Sequence, residues 1–374
     1  MAHNIITVSD IVLGYGSPQI LRFTKSVCDR RKSNAKILQP FSAQRPPIKL
    51  GLTDISIDTI PTSEHPNSDI GRREYIKACL RKINELRPDI LIITNYTLFD
   101  LIDGLNYQPK RLIHLALEDL EPLLVKSNRD NALVKLRRLA KKVNLWVFPE
   151  ANRAALDAQT LDISAEQVCI FYNVSADTIR KNEIRNERFI YAGTLDADIS
   201  IGKHIFDTEL ASFPIDVFGD LQGTRASQAE LRMKVEALRS SRRALINWHG
   251  QVENTLLEKI YPEYSFSLIL WLPVRHALLN AAPNKFFQSI ASGVPVISAP
   301  HPQTKTLIQR YGCGIVLEGW ERHDLVKGIR EAQRIMDTCN YHKYVQGCQR
   351  AFEAELSWKA QERKFQNRFN VENW

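Results

Sequence analysis

The sequence has few of the features that mark secreted, membrane-spanning or metal-stabilised proteins. Its 374 residues include six cysteines, and these form neither a C-x-x-C pair nor a regular spacing with histidine. This pattern argues against a disulfide framework and against a structural zinc site, so we expect a reducing, cytoplasmic environment. The chain begins without a charged segment followed by a long apolar run, and its longest apolar runs are far shorter than a bilayer span. We therefore expect no secretion signal and no membrane-spanning segment.

A second absence concerns nucleotide chemistry. No G-x-G-x-x-G occurs in the chain, and this glycine pattern forms the phosphate-binding turn of classical dinucleotide-binding domains. The sequence therefore disfavours a hydride-transfer enzyme. Apolar residues make up 44% of the chain and aromatic residues 9%, which is enough for sizeable cores. The length predicts two domains.

Positive charge exceeds negative charge, and the formal net charge is +8. The densest basic clusters lie at residues 29–32, 71–73 and 137–142, all in the first half of the chain. Such a balance favours an acidic partner, which would be a nucleotide diphosphate, an anionic membrane face or nucleic acid. The alternative for each cluster is a solvated helix face.

Short apolar segments alternate with amphipathic helical segments along most of the chain, as is typical of parallel α/β layers. In the first half we predict strands at residues 4–12, 36–40, 89–94, 111–116, 145–148 and 167–172, helices at 19–31, 70–87 and 128–142, and a loop at 44–67. After a highly charged linker at 179–187, we predict strands at 189–192, 215–218, 244–248, 266–271, 294–297 and 314–317. The second set is enough for a complete Rossmann-like sheet.

Residues 282–298 form the most informative segment. Pro283 suits the first turn of a helix, Lys285 places a cation beside the free backbone N–H groups there, and Gly293 suits the position between the helix and an apolar strand. This arrangement predicts a site for an anion such as a diphosphate. The alternative is an ordinary helix–turn–strand unit with Lys285 in solvent.

The same segment resembles the donor-site motif of the retaining nucleotide-sugar glycosyltransferases of the GT-B architecture (glycosyl transferases group 1). Further parts of the family pattern follow in the expected order at residues 189–195, 217–220, 248–252 and 311–316, so the resemblance covers roughly residues 187–335. In the first half it is limited to residues 14–18, 112–119 and 171–174. The resemblance implies an α/β fold of two Rossmann-like domains facing across a cleft. We expect an acceptor-side domain at residues 1–180, a donor domain at 181–350 and a C-terminal helix at 351–374 that returns to the first domain.

The resemblance also implies a set of donor-binding residues. The phosphates would contact Lys285 and the helix start at Pro283 and Asn284, and Gln288 would hold the ribose where the family usually has glutamate. An earlier glutamate of the family falls on Asn280. The other candidates are Gly14 and Gly16 in a glycine turn of the first half, Gly193, Thr194 and Lys203 at the phosphates, and Gln251 and Val252 at the nucleobase. Thr194 stands where an arginine is common, and the alternative for Lys203 is a place on a helix surface.

Two acidic residues of the first half are the catalytic candidates. Glu118 and Asp119 follow a predicted strand, and ligands of open α/β sheets bind at the carboxyl ends of strands. A carboxylate there could orient the acceptor hydroxyl, while retaining transfer also needs electrostatic stabilisation of an oxocarbenium-like state. The alternative for Asp119 is the N-cap of a following helix. For His249 and His114 we expect structural roles.

These features together predict a glycosyltransferase that moves a sugar from a nucleotide-diphosphate donor to a glycan or lipid-linked acceptor, with retention. We expect no metal and no cofactor apart from the donor, which is a co-substrate. Nucleic acid is not an expected partner, whereas peripheral contact with an anionic membrane is, at its cytoplasmic, inner face. The alternatives are a nucleotide-sugar epimerase of the same fold and a catalytically inactive sugar-nucleotide-binding subunit.

Overall fold

The computed structural model describes residues 4–14, 17–43, 53–121, 124, 129–174, 176–180, 185–241, 243–281 and 283–369. The chain divides into two compact units. The first contains Met1–Ser175 together with Gln361–Trp374, and the second contains Ala176–Ala360. Residues 176–180 and 351–360 therefore group with the second unit, whereas the sequence prediction ended its domains at residues 180 and 350. Each unit is described by itself.

The first unit is built on a parallel sheet with seven strands in the order β3-β2-β1-β4-β5-β6-β7. The strands are β1 (Ile5–Val8), β2 (Ala35–Pro40), β3 (Ile55–Ile60), β4 (Ile90–Thr94), β5 (Arg111–Leu115), β6 (Leu145–Phe148) and β7 (Val168–Ile170). The helices are α1 (Gln19–Arg31), α2 (Asp69–Leu86), α3 (Arg129–Ala140) and α4 (Ala151–Leu161), with 3₁₀ helices at Tyr96–Ile102 and Ala165–Gln167. Every residue of β1 and β4 is buried, as expected for central strands of a parallel sheet covered on both faces.

The second unit contains a parallel sheet with six strands in the order β12-β10-β8-β13-β14-β15, and a separate pair, β9 and β11. The strands are β8 (Phe189–Ala192), β9 (Leu195–Asp196), β10 (Ile215–Phe218), β11 (Leu221–Gln222), β12 (Asn247–Gly250), β13 (Phe266–Ile269), β14 (Val296–Ser298) and β15 (Gly314–Val316). The helices are α5 (Arg225–Arg239), α6 (Asn254–Ile260), α7 (His276–Leu279), α8 (Asn284–Ala291), α9 (Pro302–Tyr311), α10 (Arg322–Met336) and α11 (Tyr341–Ala351). Short 3₁₀ helices lie at Ile201–Phe206, Thr208–Leu210 and Tyr261–Glu263, and a π-helix lies at Phe352–Leu356.

The last helix, α12 (Trp358–Phe369), belongs to the first unit from Gln361 onward. There, Gln361 Oε1 accepts a hydrogen bond of 2.6 Å from the N–H of Tyr172. The Phe365 ring packs against Phe23 and Phe171, with ring centroids 5.1 Å and 5.3 Å apart. Aromatic contacts of this kind add to the free energy of area burial, so they hold the C-terminal residues against the first sheet.

The predicted loop at residues 44–67 is wrong in its central part. The structure places β3 there, as the edge strand beside β2, with Ile55 paired to Ala35. Apolar and polar side chains alternate from Ile55 to Asp58, and the four central residues of β3 are only partly buried, which suits an edge strand. The sequence predicted a loop because nearby Pro, Ser and Asp residues are typical of turns. A smaller correction concerns β12, which begins at Asn247 rather than at residue 244.

Buried aromatic residues fill the first core. The His114 ring lies 4.8–5.0 Å from the rings of Tyr96, Phe99 and Trp146, and burial lowers its pKa to about 3. His114 is therefore a neutral core residue, in agreement with its expected structural role. Among the described residues, no helix is long and apolar enough to cross a membrane.

Candidate functional site

The strand order of the second unit identifies its ligand-binding edge. Successive strands run outward in opposite directions from β8 and β13, so the order reverses between these two neighbours. In open α/β sheets, ligands bind at the carboxyl ends of the strands at such a reversal. The segment after β8 begins with Gly193, and the segment after β13 includes Trp271. These two segments lie at the carboxyl edge of the second sheet, which is called the donor-side edge after the donor-binding residues predicted there.

Lys285 lies at this edge with its ammonium group enclosed by protein. Only 7% of the residue is exposed, and Nζ has no hydrogen-bond partner among the described residues. Nζ lies 4.1 Å from the ring centroid of Tyr191 and 5.5 Å from that of Trp271. These contacts are cation–π interactions, which partly offset the loss of hydration. The amino group of Lys285 is thus buried and, among the described residues, short of hydrogen-bond acceptors.

Gly193 lies directly beside this ammonium group. A Cβ atom at position 193 would lie 3.3 Å from Lys285 Nζ, and the backbone of Gly193 has a φ of +118°, which disfavours any residue with a side chain. The structure therefore brings together two residues that the sequence predicted to contact phosphate. Lys285 is also in the first turn of α8, where Pro283 occupies the N-cap without a capping side-chain hydrogen bond. The N–H of Phe286 donates to Pro283 O at 3.0 Å, so the N–H groups of Asn284 and Lys285 are those that an anion at this helix start would contact.

The glycines that end neighbouring strands shape the rest of the edge. The N–H of Gly193 donates to Phe218 O and the N–H of Gly219 donates to Gly250 O, both at 2.7 Å. A Cβ atom at Gly219 would lie only 2.2 Å from the carbonyl oxygen of Gly193. Close packing of backbone against backbone therefore requires glycine here, and no side chain extends from either position.

The remaining predicted donor residues are distributed around this centre. Thr194 is exposed, and its carbonyl oxygen accepts a hydrogen bond of 3.0 Å from the Tyr191 hydroxyl. Gln251 is exposed and Val252 is half-buried, directly after β12, and Val252 packs against a cluster that includes Leu257 and Tyr261. Both are at the carboxyl edge, two strands away from β8.

Other predicted residues lie on helices. Asn284 is exposed at the start of α8, whereas Gln288 is half-buried one turn later. Lys203 is half-buried on the 3₁₀ helix Ile201–Phe206. The pKa of Glu230 in α5 is lowered chiefly by its hydrogen bond with Lys234, and the charge of Lys203 adds a smaller effect in the same direction. Lys203 therefore has an acidic neighbour on the helical side of the fold, as the surface alternative for this residue implied.

His249 has a structural environment. Its ring stacks on Phe218 with centroids 4.4 Å apart, and its Nε2 lies 3.2 Å from Asp216 Oδ1. Burial alone would raise the pKa of the Asp216 carboxyl, but hydrogen bonds from Arg188, Asn247, Tyr264 and His249 outweigh burial and lower the pKa to about 2. Asp216 and these four partners form the Asp216 hub. Because Asp216 lies in β10 and Asn247 and His249 lie in β12, the hub joins the two strands and supports the segment that carries Gln251.

Sequence reasoning missed the aromatic residues around Lys285. Tyr191 and Trp271 are 80 positions apart in the chain, and only the pairing of β8 with β13 brings them to one edge. It also missed His301, which is 1% exposed. Its Nδ1 lies 3.3 Å from Leu279 O, and burial lowers its pKa. Asn280, the residue at the position of a family glutamate, donates from Nδ2 to His276 Nε2 at 2.9 Å.

The first unit has a corresponding edge. Its strand order reverses between β1 and β4, and Asp10 and Asn95 follow these two strands, while Glu118 lies shortly after β5. Glu118 is exposed, and its N–H donates to Asn95 Oδ1 at 2.8 Å. Partial removal from water raises the pKa of the Glu118 carboxyl, Arg153 lowers it, and the negative charges of Asp10 and Asp119 raise it further.

The other predicted residues of the first unit are placed as follows. Asp119 Oδ1 accepts a hydrogen bond of 3.1 Å from the N–H of Glu121, which is the local turn contact that its capping alternative implied. Gly14 lies in the turn between β1 and α1 with a φ of +93°. Gly16 lies outside the described residues. Taken separately, neither unit brings three or more metal-ligating side chains together within its described residues, and the lack of a metal requirement stays a prediction.

Comparisons with known proteins give a likeness at the level of structure. No family model matches the sequence, and no curated protein sequence is similar to it. Several solved structures match nearly the whole chain. Anabaena HepE in complex with UDP has a TM-score of 0.70 at 14% identity, over 98% of this chain and 99% of that chain. The lipopolysaccharide outer core galactosyltransferase WaaB has a TM-score of 0.66 at 14% identity, with the same coverage.

A third match is sucrose-phosphate synthase from Thermosynechococcus elongatus, with a TM-score of 0.66 at 13% identity over 98% of each chain. The chain has the GT-B fold. The α/β fold class with two Rossmann-like units, predicted from the sequence, is confirmed. At identities this low the likeness establishes the fold, and the chemistry must be argued from the residues of this chain.

Proposed function

We propose that this protein is a glycosyltransferase that moves a sugar from a nucleotide-diphosphate donor to a hydroxyl of a glycan or lipid-linked acceptor, with retention. The observation that carries the proposal is the enclosed ammonium of Lys285, which has no hydrogen-bond acceptor among the described residues and lies beside Gly193 at the start of α8. A diphosphate would provide the missing acceptors. The GT-B fold supports the same activity, since WaaB is a galactosyltransferase and HepE is bound to UDP.

The donor would be bound through contacts along the donor-side edge. Lys285 and the first N–H groups of α8 would hold the diphosphate, and the turn at Gly193 and Thr194 would allow its oxygens to approach the backbone closely. The amide of Gln288 would hydrogen-bond a ribose hydroxyl. Gln251 and Val252, held at the end of β12 by the Asp216 hub, would contact the nucleobase.

Transfer breaks the bond between the anomeric carbon and the diphosphate oxygen and forms a bond from that carbon to the acceptor oxygen. The departing diphosphate gains negative charge as the bond breaks, so the Lys285 ammonium and the helix start stabilise the transition state more than the ground state. The acceptor hydroxyl loses its proton in the same reaction, and this proton would pass to the departing diphosphate, which retention places on the same face of the sugar. The Glu118 carboxyl, whose pKa is raised by partial removal from water, would orient this hydroxyl.

A donor panel tests the proposal directly. We expect UDP, GDP or ADP to raise the melting temperature, because a ligand that binds the folded state stabilises it by mass action. UDP-sugars are the first to test, since HepE is bound to UDP. The corresponding sugar nucleotide should release its nucleoside diphosphate faster when an acceptor is present, and removal of divalent metal with EDTA should leave the rate unchanged. No thermal shift with any nucleotide would contradict the proposal.

The same assay separates the alternatives. An epimerase would convert the donor without using an acceptor. An inactive binding subunit, which the replacement of two family glutamates by Asn280 and Gln288 favours, would bind a nucleotide tightly and release no product from any donor. Increased product release in the presence of an acceptor is expected only from a transferase.

We also propose that the protein makes peripheral contact with an anionic membrane through α3. Val134 on this helix is 70% exposed, and exposed cations surround it at Lys135, Arg137, Arg138, Lys141 and Lys142. Lys135 and Arg138 pair with Asp100 and Asp103, and Arg137 donates from Nε to Thr160 O at 2.9 Å. Lys141 and Lys142 would therefore be the main cations to face anionic lipid. Cosedimentation with vesicles that contain an anionic lipid, and not with neutral vesicles, is the expected result. Equal binding to both kinds of vesicle would contradict it.

A further inference from the structure

Asn95 has a backbone conformation that a residue with a side chain rarely adopts. Its φ is +52° and its ψ is +155°, at the border of a region that is essentially restricted to glycine. Such conformations are energetically unfavourable and persist only where surrounding contacts impose them, most often at functional sites. Asn95 lies directly after β4 at the strand-order reversal of the first unit. The strain therefore falls where a ligand site is expected.

The side chain of Asn95 explains what imposes this conformation. Asn95 is 4% exposed. Its Nδ2 donates to both carboxylate oxygens of Asp10, at 3.0 Å and 2.9 Å. Its Oδ1 accepts from the N–H groups of Leu117 and Glu118, at 2.9 Å and 2.8 Å. The amide thus uses both of its ends to join segments that follow β1, β4 and β5.

Asp10 is a firm anchor for this bridge. The Thr94 hydroxyl donates to Asp10 Oδ1 at 2.9 Å, and the Thr97 hydroxyl donates to Asp10 Oδ2 at 3.1 Å. The N–H of Asp10 in turn donates to Thr94 Oγ1 at 3.0 Å. Because the carboxylate is held from several sides, the position of the Asn95 amide is determined, and with it the position of the N–H of Glu118.

We propose that Asn95 is a positioning residue, whose amide holds the turn at Leu117 and Glu118 so that the Glu118 carboxyl is presented at the carboxyl edge of the first sheet. The role rests on the proposed function, in which Glu118 orients the acceptor. Strand pairing does not require the amide, since β4 and β5 are joined by their own backbone hydrogen bonds in register from Ile90 to Thr94. Glycine would adopt the same backbone without strain, so the asparagine side chain must supply what glycine lacks.

The test uses Asn95→Gly, which keeps the backbone conformation and removes only the amide. Asn84→Ala is the matched control, because Asn84 also bridges two backbone groups, Gly104 O and the N–H of Asn106, at 3.0 Å and 3.1 Å. We expect Asn95→Gly to lower kcat for sugar transfer at least tenfold while the donor Kd changes less than twofold. The control variant should retain wild-type kcat.

A double-mutant cycle shows whether the effect passes through Glu118. If Asn95 acts by placing that carboxyl, Asn95→Gly should cost little further activity in a Glu118→Gln background, because residues that act as a unit are not additive. Fully additive losses, or an unchanged kcat in Asn95→Gly, would overturn the proposal.

Amide hydrogen exchange provides a readout that does not depend on activity. A peptide that contains Glu118 should exchange faster in Asn95→Gly than in the wild type, whereas the control Asn84→Ala should retain wild-type protection in this peptide. Faster exchange without any transferase activity in the wild type would locate the failure in the proposed function. Unchanged exchange in Asn95→Gly would contradict the positioning role itself.

Discussion

The ammonium group of Lys285 lies over the ring of Tyr191, 4.1 Å from its centroid. The ring attracts the cation but offers no hydrogen-bond acceptor, and Nζ has none among the described residues. A charged group that has lost most of its water is costly unless it is paired. An anion that enters this site would therefore gain contacts that the unbound protein leaves unused.

Replacement of this lysine should weaken nucleotide binding. We expect Lys285→Ala to reduce the affinity for the preferred nucleoside diphosphate by about 1.5–3 kcal/mol, the scale of a charge-assisted hydrogen bond. Titration calorimetry measures the change. Lys259→Ala, which removes an exposed lysine from the last turn of α6, should bind as the wild type does. Equal affinity of all three proteins would remove Lys285 from the site.

Glu118→Gln should separate catalysis from donor binding. The substitution keeps the size of the side chain and removes its charge, so we expect a fall in kcat for transfer of about 100-fold or more, in the range of general acid–base effects, with donor affinity nearly unchanged. Glu166→Gln, at an exposed position in the same unit, is the control. A parallel loss of donor binding would instead indicate a structural role for Glu118.

Gly219→Ala should destabilise the second unit strongly. A Cβ atom there would lie 2.2 Å from the carbonyl oxygen of Gly193, and the φ of +134° is itself unfavourable for alanine. Gly250→Ala is the matched control, because a Cβ atom at Gly250 meets nothing within 4 Å. Denaturant unfolding should show a loss for Gly219→Ala that exceeds the loss for Gly250→Ala by at least about 1 kcal/mol. Similar losses in both variants would mean that the close approach of Gly193 and Gly219 is not tight.

The Asp216 hub predicts a pH dependence of stability. Hydrogen bonds lower the folded-state pKa of this carboxyl from 3.8 to about 2 against the opposing effect of burial, so the unfolded state binds the proton more readily. The contribution of Asp216 to stability is therefore fully present above pH 3.8 and is lost as the pH falls toward about 2. Asp216→Asn should be less stable than the wild type at pH 7 and should lose less stability on acidification.

Unfolding curves across this pH range provide the measurement. Asp130→Asn, at an exposed position in the first unit, should follow the wild-type profile. If the stability of Asp216→Asn changed with pH in the same way as that of the wild type, the proposed role of the Asp216 hub would be contradicted.

The sequence by itself predicted those elements that depend on local patterns. Apolar runs such as β8 and β10 were located at their observed bounds, because strand formation follows side-chain alternation and burial over a few residues. The anion site was also indicated locally, since Pro283, Asn284 and Lys285 are consecutive and their order favours a helix start. The edge strand β3 was not predicted, because its alternation is short and lies next to turn-forming residues.

Only the tertiary structure determined which distant residues meet. Tyr191, Trp271 and Lys285 come together because β8 pairs with β13 and α8 packs against the same sheet. Asp10, Asn95 and Glu118 meet because β1, β4 and β5 are neighbours in the first sheet. No local pattern encodes such contacts, because they depend on which strands become neighbours in the sheet. The backbone strain at Asn95 is likewise determined by the tertiary structure, because it is imposed by partners up to 85 positions away in the sequence.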